Sequence, residues 1–162
     1  MNTAGPGTGD FVVLKFGGSS VAGAENWPRI AGVLRQRLDE GLRPVVVHSA
    51  LSGVSDRLEA LAGLPGDDLR GRLVEEIRDR HRRLLAELGL DAPQELEALD
   101  AELGRLVSGL ELTGEVSPPL QARLMALGEL MASAIVTAYL EGEGLDVLSV
   151  DARAVMRSLP KY

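Results

Sequence analysis

Three short apolar runs, separated by stretches of helical periodicity, set the pattern of this chain. Residues 11–16, 44–50 and 145–150 are rich in valine and leucine, which predicts three strands. The first two runs are nearly uninterrupted, as is typical of parallel strands covered on both faces. A strand, a helix and a second strand at this spacing form a βαβ unit, which predicts parallel pairing. We therefore expect an α/β fold with a mostly parallel sheet.

The apolar positions outside the strands repeat at the period of an amphipathic helix. Four such segments are predicted as single helices: 26–40, 55–62, 117–140 and 151–157. Asn26 and Ser55 are predicted N-caps, and Gly41 is predicted to stop the first of these helices. The segment 117–140 carries few charges, so we expect it to pack on the sheet.

Residues 67–111 differ from the rest because they are helical in pattern and heavily charged. Gly89 and Pro93 divide them into two helices, which predicts a helical hairpin inserted between sheet elements. We expect it to serve as a lid, to pack on another domain or to contact another subunit. The basic cluster at 78–83 is interpreted as a solvated helix face. Residues 1–10 are predicted to be a flexible lead-in to a domain spanning 11–162.

The composition excludes several classes of protein. The 162 residues are 45% hydrophobic and 25% charged, which is typical of one globular domain. A net charge of −7 without a basic stripe argues against nucleic-acid binding. The absence of cysteine fits a reducing cytoplasm, and two histidines are too few to suggest a zinc site. No uninterrupted apolar run approaches the ~20 residues of a membrane span, and no signal peptide is expected.

The first predicted strand ends in a pattern suited to an anion. Lys15 lies at its end, and Gly17, Gly18 and Ser19 follow before a helical stretch. Glycine lets the main chain approach a phosphate closely, and the N–H groups of a following helix point at it. Lysine adds a compact positive charge. The pattern is neither a P-loop nor a dinucleotide fingerprint; an ordinary turn is the alternative interpretation.

Two further groups of residues are candidates for the same site. Ser49 and Ser55 follow the second strand, and in a parallel sheet both post-strand loops emerge at the ligand-binding edge. Helix capping is the alternative role for Ser55. Gly128 is unfavourable inside a helix unless another element packs closely on it. Glu129 beside it is either a surface glutamate or a carboxylate that accepts a hydrogen bond from an ammonium group.

Taken together, four motifs resemble those of aspartate kinases, in the amino acid kinase superfamily. Residues 15–22, Lys-Phe-Gly-Gly-Ser-Ser-Val-Ala, resemble the family's opening motif. Residues 46–55 are similar to its valine-rich strand with Ser-Ala-x-x-Gly-hydrophobic-Thr. Residues 128–131 and 151–153 resemble its Gly-Glu helix motif and its Asp-Ala/Val-Arg motif. Trp27 and residues 80–89 look most like forms fused to a diaminopimelate decarboxylase.

The resemblance implies a three-layer α/β/α sandwich and the phosphorylation of the L-aspartate side chain by ATP with Mg2+. It implies that Lys15 neutralises the transferred phosphoryl group, that Gly17 and Gly18 donate N–H groups to it, and that Ser19 lies alongside. By the same resemblance Ser49 and Ser55 would contact aspartate, and Glu129 would hold its ammonium. A cytoplasmic homo-oligomer is expected for the full-length protein, and no metal ligand is assigned here.

The sequence also departs from the family pattern. The Gly-Arg-Gly-Gly-Ser-Asp segment and the regulatory ACT domains are absent, so the sandwich is expected to be incomplete and the isolated chain inactive. A truncated, non-catalytic paralogue that acts as a binding or subunit-interaction module is one alternative. A kinase for glutamate or acetylglutamate is another, although the context of Phe16 and Val21 argues against it.

Overall fold

The computed structural model describes residues 9–63 and 66–156. The predicted lead-in up to residue 8 and the end of the last predicted helix lie outside these ranges. The elements follow in chain order: β1 Phe11–Phe16, α1 Gly18–Ala22, a 3-10 helix Ala24–Asn26, α2 Trp27–Asp39, β2 Arg43–His48, α3 Val54–Gly63, α4 Asp67–Leu88, α5 Gln94–Thr113, α6 Pro118–Gly142 and α7 Ala152–Val155.

The sheet of the described residues consists of β1 and β2, which pair in parallel. The register runs from Phe11 opposite Arg43 to Phe16 opposite His48. The predicted first strand is confirmed at both ends. The second strand ends at His48, earlier than predicted, so Ser49 and Ala50 belong to the turn that follows. Both strands therefore deliver their next residues to the same edge of the sheet.

The prediction of a third strand at 145–150 is wrong for the described residues. Leu145 and Val147 pack against the core, whereas Leu148 is 86% exposed, so one side of this segment contacts the protein. It nevertheless belongs to no strand. A strand requires a neighbour that completes its backbone hydrogen bonds, and the described part of the sheet places none beside it.

The two faces of the sheet differ in burial. Leu14, Phe16 and Val46 pack against the helical core, whereas Phe11 and Val13 on the other face are each 64% exposed. The α/β class and the parallel sheet are confirmed. The described helices cover one face only, in agreement with the expectation that the sandwich is incomplete.

Helix α2 begins differently from the prediction. Residues Ala24–Asn26 already form a 3-10 helix, and Asn26 has helical backbone angles with no capping hydrogen bond from its side chain. An N-cap residue has to leave the helical region, so Asn26 does not serve as one. Gly41 adopts a φ of +79°, which confirms its predicted role in ending the helix. Trp27 lies fully buried in the core.

Helix α6 is the central core helix of the described structure. The Ser117 hydroxyl accepts a hydrogen bond from the Leu120 N–H at 3.4 Å and caps its start. The helix packs mainly on α5 and α3 rather than on the sheet, which corrects the prediction. By length and composition alone it could cross a membrane, although its polar residues interrupt any continuous apolar run. Half of the most apolar window is buried inside the protein, as in core helices of globular folds.

The predicted helical hairpin is present as α4 and α5. Gly89 ends α4 in the left-handed region, and Pro93 precedes α5. The interpretation of residues 78–83 as a solvated face is wrong in part, because His81 is only 2% exposed. Its ring faces the core side of α4 and its Nδ1 lies 2.8 Å from the Ile77 carbonyl oxygen. The description of the hairpin as an insertion remains a prediction.

Candidate anion and amino-acid site

The turn after β1 places a lysine next to two glycines. The backbone leaves the strand at Gly17, which precedes α1 in an extended conformation. Lys15 is exposed, and its Nζ lies 3.8 Å from the position that a Cβ of Gly17 would occupy. Within residues 9–63 and 66–156, Lys15 makes no ion pair. Its positive charge is therefore available to a ligand at this turn.

The first turn of α1 has N–H groups without backbone partners. The N–H groups of Ser20 and Val21 donate to the Gly17 carbonyl at 3.0 and 3.2 Å. The N–H groups of Gly18 and Ser19 take part in none of the described backbone hydrogen bonds, as expected for residues that begin a helix. These two donors and the Lys15 ammonium form a small positive surface at the end of β1.

The turns after β1 and β2 are in direct contact. A Cβ on Gly18 would lie 2.6 Å from the Ala50 carbonyl oxygen and 3.4 Å from the Ser52 nitrogen. The Ser49 N–H also donates to the Phe16 carbonyl at 3.3 Å. The prediction that the two post-strand loops meet at one edge is therefore confirmed. Glycine at position 18 is required because any side chain would displace the second turn.

Helix α6 is seated on the same second turn through Gly128. A Cβ on Gly128 would lie 3.0 Å from both the Ala50 Cβ and the Leu58 Cδ1. Close packing thus offsets the unfavourable glycine, as expected, although the neighbours are side chains. Ala50 contacts Gly18 through its carbonyl and Gly128 through its methyl group. We call this arrangement of Gly18, Ala50 and Gly128 the Ala50 junction.

The remaining predicted site residues surround this junction with free polar groups. Ser49 and Ser55 are half-buried, and Ser19 and Glu129 are exposed. In the described parts of the chain, none of these four side chains makes a hydrogen bond. Ser55 lies one residue inside α3, which begins at Val54, so its predicted role as N-cap is wrong. Its hydroxyl therefore does not serve as the predicted cap.

His48 links the second turn to α6 in a way that the sequence did not reveal. Its Nδ1 lies 3.1 Å from the Ser49 carbonyl oxygen, and its Nε2 lies 3.1 Å from the Ser133 hydroxyl. A carbonyl oxygen can only accept, so the hydrogen bond to Ser49 places a proton on Nδ1. Ser133 carries no motif signal, and only its position one turn beyond Glu129 on α6 points to it.

The Asp-Ala-Arg motif forms a pair of its own. Asp151 caps α7 by accepting from the Arg153 N–H at 2.9 Å, and the Arg153 guanidinium binds both of its carboxylate oxygens. The hydrogen bonds from Arg153 hold the pKa of Asp151 below its usual value. Because both charges are satisfied by each other, this motif adds no free group to the Ala50 junction.

The structure thus brings a lysine–glycine turn, a serine-containing turn and a Gly-Glu helix together at one end of a parallel sheet. The sequence profile described as the amino acid kinase family matches residues 10–160, so the chain belongs to that family. It is 32% identical over 146 residues to an aspartokinase of Chlamydia trachomatis, covering 90% of this chain and 31% of that protein. It is also 32% identical to the chloroplastic aspartokinase 1 of Arabidopsis thaliana, covering 86% of this chain and 25% of that one.

Solved structures agree with this assignment. The crystal structure of E. coli aspartokinase III in complex with aspartate and ADP matches with a TM-score of 0.76 at 29% identity, covering 90% of this chain and 32% of that one. The same protein in complex with lysine and aspartate matches with a TM-score of 0.70 at 28% identity, covering 84% and 30%. The chain thus spans about a quarter to a third of the length of these relatives.

Proposed function

We propose that this chain is the N-terminal, aspartate- and phosphoryl-binding part of an aspartate kinase. The proposed reaction of the whole enzyme converts ATP and L-aspartate into ADP and 4-phospho-L-aspartate. The observation that carries the proposal is the Ala50 junction, because it assembles three separate sequence motifs into one place. The similarity to several aspartokinases supports the choice of substrate.

The positive surface at the end of β1 suits the transferred phosphoryl group. Phosphoryl transfer depends on positioning and on neutralising the charge of the equatorial oxygens. In this proposal Lys15 supplies the charge, and the glycine turn supplies N–H groups, with the Ser19 hydroxyl alongside. The free N–H groups of Gly18 and Ser19 fit this role. Gly17 provides the close approach that a side chain would block.

The groups around the second turn suit the amino-acid end of L-aspartate. An amino-acid ammonium requires a carboxylate, and Glu129 is an exposed carboxylate on the helix that packs on the turn. Carboxylates of the substrate require hydrogen-bond donors, and hydroxyls are offered by Ser49 on that turn and by Ser55 in the first turn of α3. These roles place the substrate between α6 and β2, with its reacting carboxylate toward Lys15.

The nucleotide itself is assigned few contacts in this chain. The described residues contain no group of three or more His, Asp or Glu side chains that could hold a metal ion, so Mg2+ is given no ligand here. ATP would supply the phosphoryl group, while its remaining contacts fall to parts of the enzyme beyond these motifs. We therefore expect the purified 162-residue chain to release no ADP from ATP in the presence of L-aspartate. The complete enzyme is proposed to be a cytoplasmic homo-oligomer.

A direct test is isothermal titration of the 162-residue chain with L-2-amino-4-oxo-5-phosphonopentanoate, a stable mimic of phospho-aspartate in which a methylene group replaces the bridging oxygen. A charge-assisted contact contributes about 1.5–3 kcal/mol, so Lys15→Ala should weaken binding of the mimic by about tenfold or more. L-aspartate should be affected less, because it lacks the phosphonate. Arg29→Ala is the matched control, since Arg29 is exposed on α2 and forms no ion pair with the described residues.

The same titration separates the proposal from its alternatives. Equal affinity of wild type and Lys15→Ala for the mimic would contradict the role of Lys15. Preference for the homologous glutamate mimic would favour another amino acid kinase. If the wild type binds neither L-aspartate nor either mimic at millimolar concentration, the result would favour a non-catalytic interaction module. Glu129→Gln should weaken both L-aspartate and the mimic, because both carry the same ammonium.

A further inference from the structure

Arg57, on α3, braces the turn that joins β2 to α3. Its Nη1 donates to the Gly53 carbonyl at 2.7 Å, and its Nε donates to Glu76 Oε2, also at 2.7 Å. One guanidinium therefore connects the turn to α4, the first helix of the hairpin. Because the donors of a guanidinium are fixed in one plane, both hydrogen bonds persist only while turn and helix keep their relative position.

The peptide group between Gly53 and Val54 is held at both ends. The Arg57 side chain donates to the Gly53 carbonyl oxygen of this peptide. The Val54 N–H of the same peptide donates to the Leu51 carbonyl at 3.0 Å. Gly53 has a φ of +78°, and a Cβ there would lie 2.8 Å from Arg57 Nη1. Glycine thus allows both the left-handed backbone and the seat of the guanidinium. The orientation of this peptide determines where the next residue, Ser55, presents its hydroxyl.

The two charged groups at this contact, Arg57 and Glu76, form one ion pair. Glu76 forms its ion pair with Arg57 and with no other cation in the described structure. The Arg57 side chain is 38% exposed, so the pair lies at the surface, whereas the bond to Gly53 is partly buried. The inner bond therefore fixes the turn, and the outer pair keeps the guanidinium aligned for it.

We propose that Arg57 is a positioning residue that fixes the Ser49–Ser55 turn and, through Glu76, couples this turn to the helical hairpin. The ligand named for the turn rests on the proposed function, but the bracing concerns the turn alone. A partner that displaces α4 would pull Glu76 away and loosen Arg57 from Gly53. Displacement of the hairpin would therefore lower the affinity of the site for its ligand.

The test uses the whole 162-residue chain and two independent measurements. Amide hydrogen exchange, followed residue by residue by NMR, reports the turn without ligand, and titration reports the affinity for L-aspartate. Arg57→Ala should accelerate exchange of the Val54 amide, which donates to the Leu51 carbonyl, and raise the Kd for L-aspartate, each by about tenfold. Arg57→Lys should restore part of both effects. Glu76→Gln should change both by about threefold, and Arg29→Ala, the control, should change neither.

The outcomes keep the two proposals apart. Unchanged turn amides and unchanged Kd in Arg57→Ala would overturn the bracing role while leaving the aspartate site intact. Faster exchange spread evenly over all amides would also overturn it, because that pattern reports a loss of global stability. If the wild type fails to bind L-aspartate, the proposed function fails. In that case the exchange of the Val54 amide alone decides whether Arg57 holds the turn.

Discussion

The end of the sheet and the helical hairpin differ in the ion pairing of their charged side chains. Around the Ala50 junction, Lys15 and Glu129 are exposed and form no ion pair within the described residues. In the hairpin, Arg78 binds Asp100 at 2.7 Å and Glu75 at 2.6 Å, so one guanidinium satisfies two carboxylates. The two charged side chains at the junction are thus unpaired, whereas Arg78 of the hairpin links both of its helices through ion pairs.

Packing separates the two regions as well. The junction is built from glycine and alanine in close contact, with no space for an added Cβ at Gly18. At Gly71 in α4 and Gly109 in α5, an added Cβ would meet no neighbouring side chain or element within 4 Å, so the hairpin leaves its glycines open. Tight backbone packing with free charges is what a ligand site requires, whereas internal pairing is what a scaffold requires. This contrast identifies the junction, not the basic cluster of α4, as the candidate site.

The largest effect is expected from filling the junction. Gly128→Leu inserts a side chain where a Cβ alone would lie 3.0 Å from Ala50 and Leu58. Overpacking of this kind costs typically about 1–3 kcal/mol, and the better helix propensity of leucine offsets somewhat less than about 1 kcal/mol, so the free energy of unfolding should fall by up to about 2 kcal/mol. Urea unfolding followed by circular dichroism measures this change.

The matched control for that substitution lies in the hairpin. Gly71→Leu makes the same change within a helix, at an exposed position with open space around it. Leucine is favoured over glycine there by somewhat less than about 1 kcal/mol, so the free energy of unfolding should rise slightly or stay constant. Similar losses at positions 71 and 128 would show that the contrast between the two regions is wrong.

A smaller effect is expected from the buried histidine of the hairpin. Burial lowers the pKa of His81, so the unfolded chain binds more protons than the folded one below pH ~6.5. Stability is therefore fully present above that pH and decreases as the pH falls toward the lowered pKa of the folded state. The slope from one group is at most about 1.4 kcal/mol per pH unit.

The pH dependence is measured by urea unfolding one pH unit above, at and one unit below the ordinary histidine pKa of about 6.5, in wild type and His81→Gln. Carboxylates titrate in both proteins, so their contribution cancels in the comparison. The variant should lose less stability than the wild type over the lower of the two intervals. Equal losses in the two proteins would show that His81 does not titrate on unfolding.

The local signals in the sequence predicted the parts of the fold that depend on local chemistry. The first strand, the hairpin with its Gly89 and Pro93 boundaries, and the start of α6 at Ser117 were all predicted, because each depends on neighbouring residues. The strand at 145–150 was predicted wrongly, because pairing depends on a neighbour that the pattern cannot supply. The N-cap at Asn26 failed for a similar reason, since the preceding residues were already helical.

The sequence pointed to individual residues of the candidate site, but it did not reveal the contacts that bring them together. Motif similarity pointed to Lys15, Ser49 and Glu129, whereas their roles remain proposals. Ala50 joins these motifs, yet an alanine after a valine-rich strand carries no chemical signal. His48 with Ser133 was missed for the same reason, because the contact joins residues that are distant in sequence.

Three motifs are held to form one site around Ala50, and a single NMR titration tests this most directly. L-2-amino-4-oxo-5-phosphonopentanoate, the mimic of phospho-aspartate, is added to the 15N-labelled 162-residue chain, and the backbone amides of residues 15–20, 49–55 and 128–130 are followed. The amide signals of all three segments should shift together and yield one common Kd. The amide signals of the α4–α5 hairpin distant from Glu76 should not shift. Shifts confined to one segment, or separate Kd values for the three, would contradict the single site.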